Sequence, residues 1–178
     1  FSVPSSRWSD ICMDFMVKLP RTNNTDYDAI MVIVDRLSKR AHFIPTFTTA
    51  TAESTARLFV AQYQRLHGLP LSITSDRDSK FTSKFWESVM KLQQTSLKVS
   101  TAFKPSTDGQ AEVTNKFIIE FLRHFIGPHQ TDWDQHLPFA EFAYNSRKHS
   151  SIEKSPFEVD IGYNPRSVAD LQLDPSIA

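Results

Sequence analysis

The first third of the chain carries hydrophobic patterns that are typical of β-strands. Residues 8–17 contain alternating and apolar stretches that end at Leu19 and Pro20. Residues 29–34 are a continuous apolar run rich in β-branched side chains, which predicts a strand covered on both faces. A third strand is predicted over residues 41–47. Because the links between the three are short, we expect them to be antiparallel neighbours.

Farther along the chain, helical spacing alternates with two more short strands. Apolar periodicity predicts helices over residues 51–67, 83–93, 109–126 and 133–147. Short strands are predicted over residues 71–75 and 96–101, and a Pro-containing loop over residues 103–108. The order strand, helix, strand, helix, strand predicts parallel pairing for the later strands. The fold class is therefore a three-layer α/β domain with a mixed, five-stranded sheet.

Two helix starts have recognisable capping sequences. Thr107 and Gln110 fit a capping box at the start of the helix over residues 109–126. Ser155, Pro156 and Glu158 predict the start of a final short helix, with serine as the N-cap and proline in the first turn.

Length and composition limit the possible classes of protein. A chain of 178 residues that is 40% hydrophobic has enough apolar material for one packed domain, which we place at residues 1–161. Residues 162–178 are predicted to be an exit segment toward a further domain, and the absence of a starting Met suggests a piece of a longer protein. A single Cys argues against a disulfide or a Cys-rich zinc site. The formal net charge of zero argues against a strongly basic DNA-binding protein, but it permits a local basic face.

Three acidic residues are candidates for a functional site because of their positions in the predicted strands and helices. Asp14 lies inside an apolar strand, where an ionised carboxylate is costly unless it is paired or the strand faces water. Asp76 follows a short strand, where ligands collect in α/β sheets, although Asp is also common in turns. Glu112 begins a helix, where an acid also simply favours the helix dipole. Each residue alone has this ordinary structural explanation.

Taken together, the three acids predict a metal site. Two strand-borne Asp residues and one Glu at a helix start can converge at one end of the sheet. Three carboxylates remain ionised together only with cations nearby. Because all the candidate ligands are hard oxygens, the expected ions are Mg²⁺ or Mn²⁺, and a pair of such ions promotes in-line phosphoryl transfer.

The spacing and the surrounding sequence resemble integrases of gypsy-type LTR retrotransposons. Thirty-five residues separate Asp76 from Glu112, as in the Asp, Asp, thirty-five residues, Glu pattern of retroviral and retrotransposon integrases. The resemblance extends from about residue 4 to residue 166. The matching stretches are WSDICMDF at 8–15, VDRLSK at 34–39, HGLP at 67–70, SDRDSKFTSKFW at 75–86, STAFKPSTDGQAE at 100–112 and LPFAEFAYN at 137–145.

This resemblance implies a ribonuclease-H-like fold and a metal-binding catalytic triad. Asp14 would bridge two Mg²⁺ or Mn²⁺ ions, Asp76 would complete one site and Glu112 the other. The implied activity is 3′-end processing of element DNA and its strand transfer into target DNA. The family also implies a homo-oligomer, a dimer or a tetramer, and a route to the nucleus through a cytoplasmic virus-like particle. Its flanking zinc and C-terminal domains are not part of this sequence.

Several further side chains are candidate DNA contacts. Asn115 and Lys116 share a helix face with Glu112, and Lys116 is placed to contact a phosphate. Lys104 occupies a position where the family often has His. A predicted basic rim around the site consists of Arg77, Lys80, Lys84, Lys104 and Lys116.

Other polar residues near these motifs have more ordinary explanations. Asp78 and Asp108 are interpreted as loop or capping residues. Asp35 is interpreted as a turn residue and His42 as a strand-surface residue. Each is therefore left outside the predicted catalytic site.

Two other functions remain open. A nuclease of the same fold that cuts RNA–DNA hybrids uses the same carboxylate chemistry, although the spacing favours an integrase. A host-adopted integrase domain could instead serve as a DNA- or protein-binding module. A missing acid would have favoured that module, and all three acids are present.

Overall fold

The computed structural model describes residues 4–95, 99–106, 109–173 and 176, and it contains a five-stranded mixed sheet. The strands are β1 (Asp10–Met16), β2 (Ala29–Asp35), β3 (Ala41–Thr46), β4 (Ser72–Ser75) and β5 (Ala102–Pro105), in the order β3-β2-β1-β4-β5. β2 is antiparallel to both β1 and β3, whereas β4 is parallel to both β1 and β5. The predicted meander followed by parallel strands is confirmed.

Helices cover both faces of this sheet. They are α1 (Ala52–Phe59), α2 (Arg65–His67), α3 (Ser79–Leu92), α4 (Gln110–Phe125), α5 (Trp133–Ser146), α6 (Pro156–Ile161) and α7 (Val168–Leu173). A π-helical segment, Val60–Gln64, joins α1 to α2. The predicted capping box of α6 is present, because Ser155 accepts from the Glu158 N–H and Glu158 accepts from the Ser155 N–H. None of the helices in the described residues is long and apolar enough to cross a membrane.

The alternation of side chains along β1 separates two hydrophobic cores. Ile11 and Met13 point into a core with Phe59 of α1 and Phe85 of α3. The other parity of β1 faces a second core formed with α4 and α5, which includes Cys12 and Met16 from β1 and Ile118, Leu122 and Trp133 from the helices. Asp14 shares this second parity, so the strand period directs it toward α4.

The fifth strand lies later in the chain than the sequence pattern predicted. β5 pairs with β4 from Ser72 opposite Ala102 to Ser75 opposite Pro105, and all of its residues after Ala102 lie in the stretch predicted as a loop. The prediction of a strand over residues 96–101 was therefore wrong for residues 99–101, and residues 96–98 lie outside the described residues. Pro105 is tolerated because β5 is an edge strand and Pro105 is its last residue.

Two further local predictions need correction. α3 begins at Ser79, four residues earlier than predicted, because the Asp78 side chain accepts a hydrogen bond from the Phe81 N–H at 2.9 Å. This contact confirms Asp78 as a capping residue. The predicted capping box at the start of α4 stays a prediction, because Thr107 and Asp108 lie outside the described residues.

His42 and Asp35 are buried rather than peripheral. His42 was predicted to be a strand-surface residue, but it is only 6% exposed, because Trp8 and His67 cover it at the edge of the sheet. Asp35 does begin the predicted turn, yet it is fully buried and accepts hydrogen bonds from Trp8 N and Ser38 Oγ. It therefore ties the N-terminal segment to the end of β2.

Candidate active site

Asp14 and Asp76 meet where two parallel strands lie side by side. Asp14 is in the middle of β1, opposite Val32, and Asp76 follows the last residue of β4. Their carboxyl groups are close neighbours. Asp76 as a whole is exposed, but its carboxyl group is partly buried. This burial raises the pKa of Asp76, and the neighbouring Asp14 raises that pKa further. Arg77 offsets part of this effect. The pair is therefore a place where a proton or a cation is required.

Asn115 connects helix α4 to this carboxyl pair. Its side-chain Nδ2 donates a hydrogen bond to Asp14 Oδ2 at 3.1 Å. Its Oδ1 is buried and has no hydrogen-bond partner among the described residues. Burying an amide oxygen without a partner costs free energy, and a bound cation or a hydrogen-bond donor would remove that cost. The sequence predicted Asn115 as a DNA contact, and this stays a prediction; in the structure its side chain contacts a carboxylate.

Glu112 lies on the same helix face as Asn115, one turn earlier, and its side chain is exposed. Among the residues that the structure describes, no three His, Cys, Asp or Glu side chains are grouped closely enough to hold a metal ion. The structure thus brings Asp14 and Asp76 together, and it leaves Glu112 exposed on α4, one turn before Asn115. The donor set is entirely oxygen, so its chemistry fits Mg²⁺ or Mn²⁺, and the three-carboxylate cluster stays a prediction.

A groove opens beside Asp76, between the end of β5 and the start of α3. Its volume is about 430 Å³. Hydroxyl groups and two cations line much of it, and the lining consists of Ser75, Asp76, Arg77, Ser79, Thr82, Phe103, Lys104, Pro105 and Ser106. Such a lining suits a phosphate-bearing chain more than an apolar ligand.

The predicted basic residues have different surroundings. The Arg77 guanidinium lies 3.8 Å from the centre of the Phe81 ring, so it is held against aromatic side chains. Lys116 is 77% exposed, with its Nζ 3.9 Å from Glu120 Oε1. Lys80 and Lys84 are exposed near the start of α3 and line a second, shallow cavity. Of the predicted basic residues, only Arg77 and Lys104 are among those that line the groove beside Asp76.

Asp10 is a carboxylate that the sequence interpretation missed, and it engages Lys104. Lys104 Nζ lies 3.8 Å from Asp10 Oδ1, and Ser72 Oγ donates to the same oxygen at 2.5 Å. Burial acts to raise the pKa of Asp10, but hydrogen bonds from Ser72 and Ser9, with the Lys104 charge, hold it below its ordinary value. Asp10 shares a strand parity with Asp14, which is the only signal in the sequence for this role.

The chain is similar in sequence to transposon polyproteins. It is 36% identical over 171 residues to the Transposon Tf2-3 and Tf2-4 polyproteins of Schizosaccharomyces pombe, which covers 96% of the chain. The chain spans about 13% of the length of these relatives. No protein-family model matches it.

The fold is similar to those of several solved integrase structures. A dimeric form of the HTLV-2 integrase catalytic core domain in complex with magnesium superposes with a TM-score of 0.60 at 18% identity, covering 86% of this chain and 97% of that one. The BIV integrase catalytic core gives 0.59 at 17% identity, covering 86% and 94%. A simian T-cell lymphotropic virus intasome in complex with PP2A regulatory subunit B56 gamma gives 0.65 at 16% identity, covering 98% and 59%.

Proposed function

We propose that this chain, which belongs to the integrase catalytic cores of retrotransposon polyproteins, performs metal-dependent polynucleotidyl transfer on DNA. The reactions are 3′-end processing of element DNA and strand transfer of the processed end into target DNA. The observation that carries the proposal is the contact between Asp14 and Asp76, with Asn115 of α4 bonded to Asp14. A contact between two carboxyl groups beside the end of β4 has no evident structural benefit, because it is repulsive when both are ionised.

The residues that would hold the ions are those of the carboxyl pair and α4. Asp14 would contact two Mg²⁺ or Mn²⁺ ions, Asp76 one of them, and Glu112 the other. When bound, such ions activate the attacking water or 3′-hydroxyl and stabilise the leaving oxygen. Asn115 would hold Asp14 in one orientation through its Nδ2.

The partners that we propose are element-end DNA and target DNA. Lys116, exposed on α4, and Lys80, exposed on α3, are placed to contact phosphates. Arg77 and Lys104 line the groove next to Asp76 and would contact the backbone of a strand lying there. We further propose a homo-oligomer, a dimer or a tetramer, and action in the nucleus after assembly in a cytoplasmic particle.

A disintegration assay on branched DNA with Mg²⁺ tests the proposed activity. The chain should release the branch strand and rejoin the target strand, and it should do so only with a divalent ion. Cleavage of an RNA–DNA hybrid with no action on branched DNA would identify a nuclease instead. Binding of DNA or protein without either reaction would identify an adopted binding module.

A further inference from the structure

We infer that an apolar pocket between the β1–β2 connection and α4 binds one unpaired nucleobase near the reacting end of the element DNA. This inference rests on the proposed function, because it requires DNA at the carboxyl pair. It adds a binding site for a base to a catalytic site that acts on the phosphate backbone. The pocket is defined here as the base pocket, and its lining is Met16, Leu19, Pro20, Ile119, Leu122, Arg123, Ile126, Gln130 and Trp133.

The base pocket has the size and polarity of a site for a single ring system. Its volume is about 250 Å³, slightly below the roughly 300–1,000 Å³ of pockets for drug-sized ligands. Buried Met16, Leu122 and Trp133 form an apolar interior. Arg123 and Gln130 are exposed and supply the polar groups. Among the lining residues, Arg123 carries the charge and none is acidic. A nucleobase has this same combination of apolar faces and a polar edge.

The walls of the base pocket are held in place by hydrogen bonds. Trp133 Nε1 donates to the Pro20 carbonyl at 2.7 Å, and Asn23 N donates to the Thr131 carbonyl at 3.1 Å. These bonds join the β1–β2 connection to the start of α5 and to the segment just before it. A binding site with fixed walls orders little on binding and therefore loses little affinity to entropy.

Gln130 has an unusual backbone conformation at the rim of the pocket. Its φ is +54°, a left-handed conformation that is uncommon for a residue other than glycine, and its N–H donates to the Gly127 carbonyl at 3.0 Å. The Gln130 amide offers both a donor and an acceptor, which is the pattern that reads the polar edge of a base.

The base pocket and the candidate active site lie along one face of α4. Asn115, Ile119 and Arg123 follow each other at intervals of four residues on α4. The rise of 1.5 Å per residue places Arg123 about 12 Å from Asn115 along the helix. That distance corresponds to about three or four stacked nucleotides at 3.4 Å each. A strand that reacts at Asp14 can therefore place a base in the pocket and its phosphate beside Arg123.

Two features of the base pocket favour DNA over a peptide as its occupant: it shares a face of α4 with Asn115, and Arg123 gives it a positive charge. An apolar peptide side chain would fill the interior, but it would leave the Arg123 guanidinium without an anion. An unpaired nucleotide satisfies both, because its base is apolar on each face and its phosphate is negative. Base stacking in such sites is tolerant of sequence, so the pocket requires an unpaired base rather than a particular one.

The test is a binding scan with DNA duplexes that have four unpaired nucleotides at one end. Affinity for the chain is measured in EDTA, which removes catalysis, with an abasic residue placed at each unpaired position in turn. We expect one position to show a loss of roughly 5- to 150-fold, the range for losing one stacked base. Equal affinity for every abasic duplex and the intact duplex would overturn the inference.

Ile119→Trp fills the base pocket and should abolish the difference between intact and abasic DNA. Ile161→Trp is the matched control, since Ile161 is 41% exposed on α6 and Ile119 is 39% exposed on α4. The control should discriminate like the parent. A base site would be contradicted if Ile119→Trp still distinguished intact from abasic DNA. It would also be contradicted if this variant lost affinity for a blunt duplex to the same extent as for the duplex with unpaired nucleotides. If Ile119→Trp fails to fold, Gln130→Ala should reduce the discrimination, and unchanged discrimination would again contradict the inference. Gln94→Ala is its control, because Gln94 is also exposed and has a similar φ of +52°.

Parallel disintegration assays with Mg²⁺ separate this inference from the proposed function. An active parent without base discrimination overturns the base pocket alone. An inactive parent that still discriminates overturns the proposed reaction and supports a site for an unpaired base. A parent that binds none of the DNAs overturns both.

Discussion

At the scale of single residues, the contact between Asp14 and Asp76 decides the chemistry. Two carboxylates in contact repel each other, so one must hold a proton or both must share a cation. In the folded chain, burial and the neighbouring Asp14 raise the pKa of Asp76, so its carboxyl group keeps a proton more readily than a free Asp does. At a pH well above that pKa, the same pair would favour a divalent cation in place of the proton.

Asp76→Asn should abolish strand transfer and leave the fold intact. The amide keeps the shape of the side chain, but it removes a negative charge and a strong ligand for a divalent ion. Strand transfer with Mg²⁺ and thermal unfolding are the two measurements. Asp78→Asn is the control, because Asn is also a good N-cap and should preserve α3 and substantial activity. Wild-type strand transfer by Asp76→Asn would exclude Asp76 as a metal ligand.

Asn115→Ala should weaken binding of Mn²⁺ by about 10- to 100-fold, the usual effect of removing a group that orients a ligand. The reason is the loss of the hydrogen bond from Asn115 Nδ2 to Asp14 Oδ2. Calorimetric titration of Mn²⁺ measures the change, and exposed Asn24→Ala is the matched control. Unchanged affinity for Mn²⁺ would show that Asn115 does not orient Asp14.

The sequence could identify Asp14 and Asp76 but not the role of Asn115. A charged residue in an apolar strand and an acid at a strand end are local signals. The bond from Asn115 depends on how α4 packs across β1, which no local pattern specifies. The same limit applies to Asp10, whose pairing with Lys104 depends on the register of β5 beside β4.

At the scale of elements, most strands and helices follow from hydrophobic periodicity, and the failures have tertiary causes. β2 is buried along its whole length and was visible as an apolar run. β5 is short and half-exposed, so its residues show little alternation, and its place is set by pairing with β4. His42 is buried because the rings of Trp8 and His67 stack over the edge strand, and both lie far from it in sequence.

This ring cluster predicts a loss of stability in mild acid. Burial, with the nearby His42 and Arg40, lowers the pKa of His67 from 6.5 to about 3. Because the unfolded chain binds the proton more readily, the free energy of unfolding should fall as the pH drops below about 6.5. Through His67, each pH unit below about 6.5 should lower the free energy of unfolding by at most about 1.4 kcal/mol, and this loss should be absent above pH 6.5.

Denaturant unfolding between pH 7.5 and pH 5 checks this slope. His67→Phe keeps a ring against Trp8, 3.6 Å from the His67 ring centre, and removes the titrating group, so its slope should be smaller. His129→Phe, at an exposed position, should keep the slope of the parent. Buried His149, whose pKa is also lowered by burial, supplies part of the remaining slope. Identical slopes for the parent and His67→Phe would refute the assignment.

At the scale of the whole molecule, a neutral chain must bind DNA through a local basic surface. The formal net charge is zero, so long-range attraction to phosphates is weak. The chain also spans only about 13% of its polyprotein relatives, and we expect other parts of such a polyprotein to contribute affinity. The isolated chain should therefore bind DNA weakly and with little preference for sequence.

The dependence of binding on salt measures how many phosphates this surface contacts. Lys116→Ala should lower the slope of log K against log salt by about 1, the value for one phosphate contact. Lys104→Ala should lower it by less, because Lys104 Nζ is already 3.8 Å from Asp10 and this carboxylate competes with phosphate. Lys91→Ala is the control, since Lys91 is exposed at the far end of α3 and should not change the slope. Tight, salt-insensitive and sequence-specific binding by the chain would contradict backbone contact and favour an adopted DNA-binding module.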